Sequence, residues 1–147
     1  MNLLDIFLAL HNLNRWVVIV LIVVALARAF SGWLQKKPWV DLDRRVSLFT
    51  TIALDVQFLL GLILYGVRWV PLMSDMEAVM STPALRQIAV EHPILGLLAI
   101  IFAHIGSARA KKAADDAGKH KAIAIFFSIV TLLLLILIPW GRPLLRY

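Results

Sequence analysis

Residues 89–106 read AVEHPILGLLAIIFAHIG. The stretch is oily enough to lie inside a membrane, yet it carries Glu91, His92 and His104. Its apolarity is that of the whole chain: 147 residues, 61% hydrophobic and 16% charged, with a mean hydropathy of +0.86. A water-soluble domain of this composition would leave large apolar patches uncovered. Crossing about 30 Å of hydrocarbon takes roughly 20 helical residues, and four stretches meet that length: about 10–34, 47–70, 94–110 and 122–140. Apolar runs this long, without ten-residue alternating segments, exclude a barrel. The expected fold is an all-α integral membrane four-helix bundle, residues 1–147 forming one transmembrane domain. The loop PLMSDMEAVMSTPALRQIAVEHP places Met73, Met76 and Met80 at helical spacing, so an amphipathic segment is expected over about 72–90 on the outer surface.

Basic residues set the expected orientation. Arg28, Lys36, Lys37, Arg44 and Arg45 follow the first span, and Arg109, Lys111, Lys112, Lys119 and Lys121 follow the third. The other side holds only Arg15, Arg68, Arg86, Arg142 and Arg146. The positive-inside rule puts those two loops in the cytoplasm and both termini on the outer, periplasmic side of a bacterial inner membrane. The +6 net charge then follows from topology and anionic lipid, with no call for nucleic acid. Trp16 and Trp33 bracket the first span, while Trp69 and Trp140 mark outer ends, as interfacial aromatics do. With Asp5 ahead of the first apolar run and no A-x-A site behind it, that helix reads as retained and not as a cleaved signal. The absence of cysteine excludes disulfides, iron–sulfur clusters and thioether-linked haem.

An Asp at membrane depth costs roughly 2.5–3.5 kcal/mol on insertion scales, so the ionisable groups inside the spans are functional candidates. They are His11, Arg15, Asp55, Glu91, His92 and His104, with Gln57 as a further polar group. Pro93 favours a first helical turn, which places His92 at the cap of the third span with Glu91 just outside. His92, Gly96, Ala99, Ala103 and Gly106 then share one stripe of small residues, leaving room for a close helix or for a flat ligand. His104 lies about 120° around and roughly 18 Å further down, so it and His92 serve different sites. Its depth matches Asp55, and a hydrogen bond between the two across the second and third spans would lower the cost of burying both. That pair reads equally as a polar clamp.

His11 lies at the depth of His92 on a parallel helix, with Arg15 one turn below it. Two imidazoles at matched depth, with a guanidinium nearby, suit a six-coordinate haem b whose propionate meets the arginine. The same residues also fit interfacial polar groups without a cofactor. Gly61 and Gly66 read as packing positions, Arg142 as a snorkelling cation at the outer interface, and His120 as a solvated residue between Lys119 and Lys121. No nucleophile-and-base motif, phosphate loop or zinc signature is present, so an electron carrier or subunit is expected ahead of a stand-alone enzyme.

The segments LHNLNRWVV, LDVQFLLGLILYGV, AVEHPILGLLAIIFAHIGSARAKKA and IPWGRP resemble a family of small bacterial four-helix membrane proteins of the cytochrome b-like type. The likeness covers nearly the whole chain. It implies haem b near the outer face with His11 and His92 as axial ligands to the iron, His104 as a further candidate, and electron transport as the function. The family pattern often has a second-helix histidine where Asp55 stands. An inner haem is therefore not expected here, because Asp55 is a poor axial ligand. The expected partners are the lipid bilayer, a homo-oligomer or a larger respiratory or photosynthetic complex, and a quinone or redox protein. Two other classes stay open: a cofactor-free accessory or assembly subunit, and a proton- or copper-handling protein using Glu91, His92, Asp55, His104 and the loop methionines.

Overall fold

A computed structural model describes residues 2–138 and 140. Pro139, Arg142 and Arg146 lie outside the described residues. The described chain is helical throughout and contains no strand. Its elements are α1 (Leu3–Leu34), α2 (Asp41–Arg68), a 3-10 turn (Val70–Ser74), α3 (Met76–Ser81), α4 (Pro83–Arg86), a π turn (Gln87–Glu91), α5 (His92–Lys112) and α6 (Asp116–Leu137). Four helical stretches are long and apolar enough to cross a membrane: α1, α2, the run Pro83–Lys112, and α6. These four make the chain a multi-pass membrane protein by length and composition.

Helix ends explain where the elements differ from the expected spans. α1 begins seven residues earlier than position 10, because Asn2 and Asp5 form a capping box: Asp5 N–H donates to Asn2 Oδ1 at 2.9 Å and Asn2 N–H to Asp5 Oδ2 at 3.0 Å. It stops at a left-handed Lys36 (φ 51°), where Lys37 N–H returns to the Gly32 carbonyl, the Schellman closure without its usual glycine. α2 begins at Asp41. The Asp43 carboxylate caps it by accepting from Val40 N–H at 3.0 Å, and ties it to α1 through Arg28 Nε at 2.7 Å. Asp115 caps α6 by accepting from Gly118 N–H. The outer segment expected as a single amphipathic stretch is broken into the 3-10 turn, α3 and α4, with Asp75 capping α3 and Pro83 opening α4.

The four long helices form a ring in which α1 packs on α2 and α6, and α5 on α2 and α6. Size complementarity closes the core. α6 supplies the large residues Ile123, Phe127 and Val130, all fully buried, while α5 supplies Ala99 and Ala103 and α1 supplies Ala25 and Ala29. Such small residues let backbones approach closely where the hydrophobic effect does not drive helices together. A Cβ at Gly106 would sit 2.6 Å from the Phe126 Cβ, so α5 and α6 meet there at the closest spacing the side chains allow. Gly66 behaves otherwise: a Cβ there meets nothing within 4 Å. The expectation that it is a packing position is corrected within this chain.

His120 also corrects the sequence reading. It is 1% exposed, not solvated, and its ring lies directly on Gly32 of α1 with the edge of Trp39 4.8 Å away between centroids. Helical period explains this. His120 starts the inward stripe that continues through Ala124, Phe127 and Val130, while Lys119 ion-pairs with Asp116 and Lys121 stacks over Trp33.

Candidate functional site

His92 owes its position to the residue that follows it. In an α-helix Pro93 would donate its N–H to the Ala89 carbonyl, but proline has no N–H and its ring crowds that oxygen. The chain answers with the π turn, in which His92 N–H bonds to Gln87 O, five residues back. The Ala89 carbonyl, on a residue only 1% exposed, accepts instead from the Tyr65 hydroxyl of α2 at 3.0 Å. His92 is therefore not a free helix cap as its proline suggested. It lies inside a continuous helical run that α2 holds in place through Tyr65.

One imidazole nitrogen of His92 is fixed as well. Its Nδ1–H donates to the Leu137 carbonyl at 3.1 Å, one of the last carbonyls of α6, which have no intrahelical partner. In the neutral ring that bond sets the tautomer, with the proton on Nδ1.

Across from it stands His11 of α1, its ring centroid 6.2 Å from that of His92 and the planes tilted by 48°. Gly61 of α2 makes this possible, because a Cβ there would lie 3.3 Å from His11 Cε1. Below the ring, Gln57 and Asn14 lock α1 to α2. Gln57 Nε2 donates to the His11 carbonyl at 3.0 Å, and Asn14 Nδ2 donates to Gln57 Oε1 at 2.8 Å and to the Ala53 carbonyl at 2.9 Å. His11 Nδ1 is buried and has no hydrogen-bond partner among the described residues.

The two histidines border a cavity of about 220 Å³ whose wall is mostly apolar. Gly61 and Gly96 line it, and Arg15, Tyr65 and Arg68 add polar groups. The small-residue stripe on α5 thus divides. Gly106 is committed to α6, whereas at Gly96 a Cβ would meet only Phe58, at an ordinary 3.7 Å.

Two histidines on one cavity would be able to hold a flat group that takes two nitrogen ligands from the protein. Two imidazole nitrogens each about 2 Å from a shared metal would put their ring centroids roughly 6 Å apart, and the centroids of His11 and His92 are 6.2 Å apart. A bare ion is served less well, since no group of three or more His, Cys, Asp or Glu is placed to hold one among the described residues. Haem brings its own four nitrogens and asks the protein for the remaining two, so the residues present fit it.

The remaining candidates lie elsewhere. Glu91, expected among the buried polar groups, is at the surface and pairs with Arg86 at 2.9 Å. Met76 and Met80 are half exposed on α3 and do not line the cavity. His104 Nε2–H donates to Asp55 Oδ1 at 2.9 Å, as the matched depths suggested, but on the outer surface of the ring, with side chains 54% and 39% exposed.

Compared with known protein families, curated proteins and solved structures, the chain matches none. Function is read from the cavity.

Tyr65, Leu137, Asn14 and Arg68 escaped the sequence reading. Proline alone signals an orphaned carbonyl at Ala89, but nothing local says which side chain will fill it.

Proposed function

We propose that this chain is a membrane-bound b-type cytochrome that carries electrons through one haem b held between His11 and His92. The observation that carries the proposal is the pair of imidazoles 6.2 Å apart across an apolar cavity, one with its Nδ1–H already committed to a backbone carbonyl. Haem b, when bound, supplies one-electron redox chemistry.

The chain's own residues position and enclose. The Leu137 carbonyl holds the His92 ring in one orientation and raises its basicity, as outer partners of ligating histidines do. Gly61 admits His11 to the same depth. Arg15 and Arg68 border the cavity, where guanidinium forks can meet the carboxylates of the group. The apolar wall excludes water, which holds the local dielectric low. Asp55 and His104 bond to each other, so no inner haem is proposed.

The basic loops after α1 and α5 support an orientation with those ends in the cytoplasm and both termini outside, in a bacterial inner membrane. Electron exchange then occurs near the outer face, with a quinone or a redox protein, alone or within a larger respiratory or photosynthetic complex.

Purified His11→Ala and His92→Ala are each expected to lose the Soret band and haem stoichiometry of the wild type, and His104→Ala to retain both. Unchanged haem in both of the first two variants, with the proteins folded, would refute the assignment.

A further inference from the structure

We propose that the α2–α5 face is a two-fold interface between two copies of this chain, centred on Asp55 and His104. The pair sits in the groove between the two helices, half exposed at 39% and 54%, inside stretches apolar enough to span a membrane. Ionisable groups at that depth face a bundle interior or a partner, not lipid tails. One turn nearer the α5 C-terminus, the hydroxyls of buried Thr51 and of Ser107 bond at 3.1 Å and join α2 to α5 behind the seam.

The outward faces beside this seam carry a helix-pairing pattern. On α2, Ile52, Asp55, Leu59 and Leu62 recur at spacings of three, four and three; on α5, Leu97, Ile101, His104 and Ala108 recur at four, three and four. That is the 3.5-residue period of a helix–helix seam, with a polar residue at the centre that fixes register. The six residues flanking the pair are all exposed. By contrast, outward residues of α1 and α6 such as Val20, Val23, Leu132 and Ile136 are apolar, as suits lipid.

A second copy is the partner whose chemistry matches. Copies of one chain share an orientation in the membrane, so a two-fold axis along the membrane normal brings each depth against itself. Asp55 of one copy then meets His104 of the other on both sides of the axis, the imidazole donating and the carboxylate accepting, in exchange for the bond that each pair makes within its own chain. The seam is self-complementary without any further group, and polar contacts of this kind hold helices together in lipid. Of the seam residues named, Leu62 also borders the cavity, whereas Asp55 and His104 do not, so the seam's centre is tested apart from haem binding.

The chain lacks cysteine, which permits a clean test. Single Ile52→Cys, Leu59→Cys and Ile101→Cys variants, oxidised in native membranes, are expected to give a disulfide-linked homodimer from at least one position, and Val23→Cys and Ile136→Cys none. In lipid vesicles, energy transfer between labelled copies is expected to show the association constant of the Asp55→Leu/His104→Leu double variant falling roughly five- to thirtyfold. Absence of any seam crosslink, equal crosslinking from the α1 and α6 positions, or unchanged association in the double variant would each overturn the proposal. Because crosslinking uses otherwise native chains, a folding defect in the double variant does not rescue it.

Discussion

Tyr65→Phe isolates one hydrogen bond at the turn that positions His92. The ring stays and only the hydroxyl is lost, leaving the Ala89 carbonyl without the 3.0 Å bond it now accepts. Interhelical hydrogen bonds in membranes average about 0.6 kcal/mol and reach about 1.7, while an unmade bond to a buried group in water-soluble proteins costs about 1–3. Ala89 is 1% exposed and Pro93 offers no N–H, so the upper part of the membrane range applies. The expected loss is about 1.5 kcal/mol, roughly tenfold in the unfolding constant. Reversible unfolding in mixed micelles, followed by circular dichroism, measures it. The cause is checked by repeating the change in a Pro93→Ala background, where a backbone N–H is restored one turn from the Ala89 carbonyl. There the loss should shrink by about 1 kcal/mol, a coupling well above the additivity error of about 0.3–0.5. Equal losses in both backgrounds would refute the idea that proline creates the need for Tyr65.

Gly32→Ala sets two opposing effects against each other: an alanine in the last turn of α1 gains up to about 0.5–1 kcal/mol, whereas forcing a methyl against the buried His120 ring costs about 1–3. The net expectation is a loss near 1 kcal/mol in the same micelle titration, turning into a gain when His120→Ala is added. Gly106→Ala and Gly66→Ala should differ in sign by that assay. The first meets Phe126 at 2.6 Å and destabilises, while the second meets nothing within 4 Å and is neutral or stabilising by up to about 1 kcal/mol.

Much of this architecture is written in local pattern. The apolar runs fix four long helices, because no other element satisfies its backbone across hydrocarbon. Depth counted along the helices pairs Asp55 with His104 and likewise sets His11 level with His92. Direction around the axis was harder. Asp55 and His104 proved to face outward, since angular position depends on which neighbours a helix packs against. His120 reads as solvated from its charged sequence neighbours, whereas the helical stripe it shares with Ala124 and Phe127 signals its burial. The supports of the cavity were illegible for a different reason. Tyr65 to Ala89 and His92 to Leu137 join residues 24 and 45 positions apart, and each fills a backbone group orphaned by a proline or by a helix end. A sequence reveals the orphan; only the packed helices reveal its partner.

The central claim is that His11 and His92 hold one haem b between them. It is tested most directly by absorption spectra of the detergent-purified wild-type protein from haem-replete cells, oxidised and then reduced with dithionite. The account predicts a Soret band that shifts on reduction, a sharp low-spin α band in the reduced form, and about one haem per chain. A folded, colourless protein would contradict it.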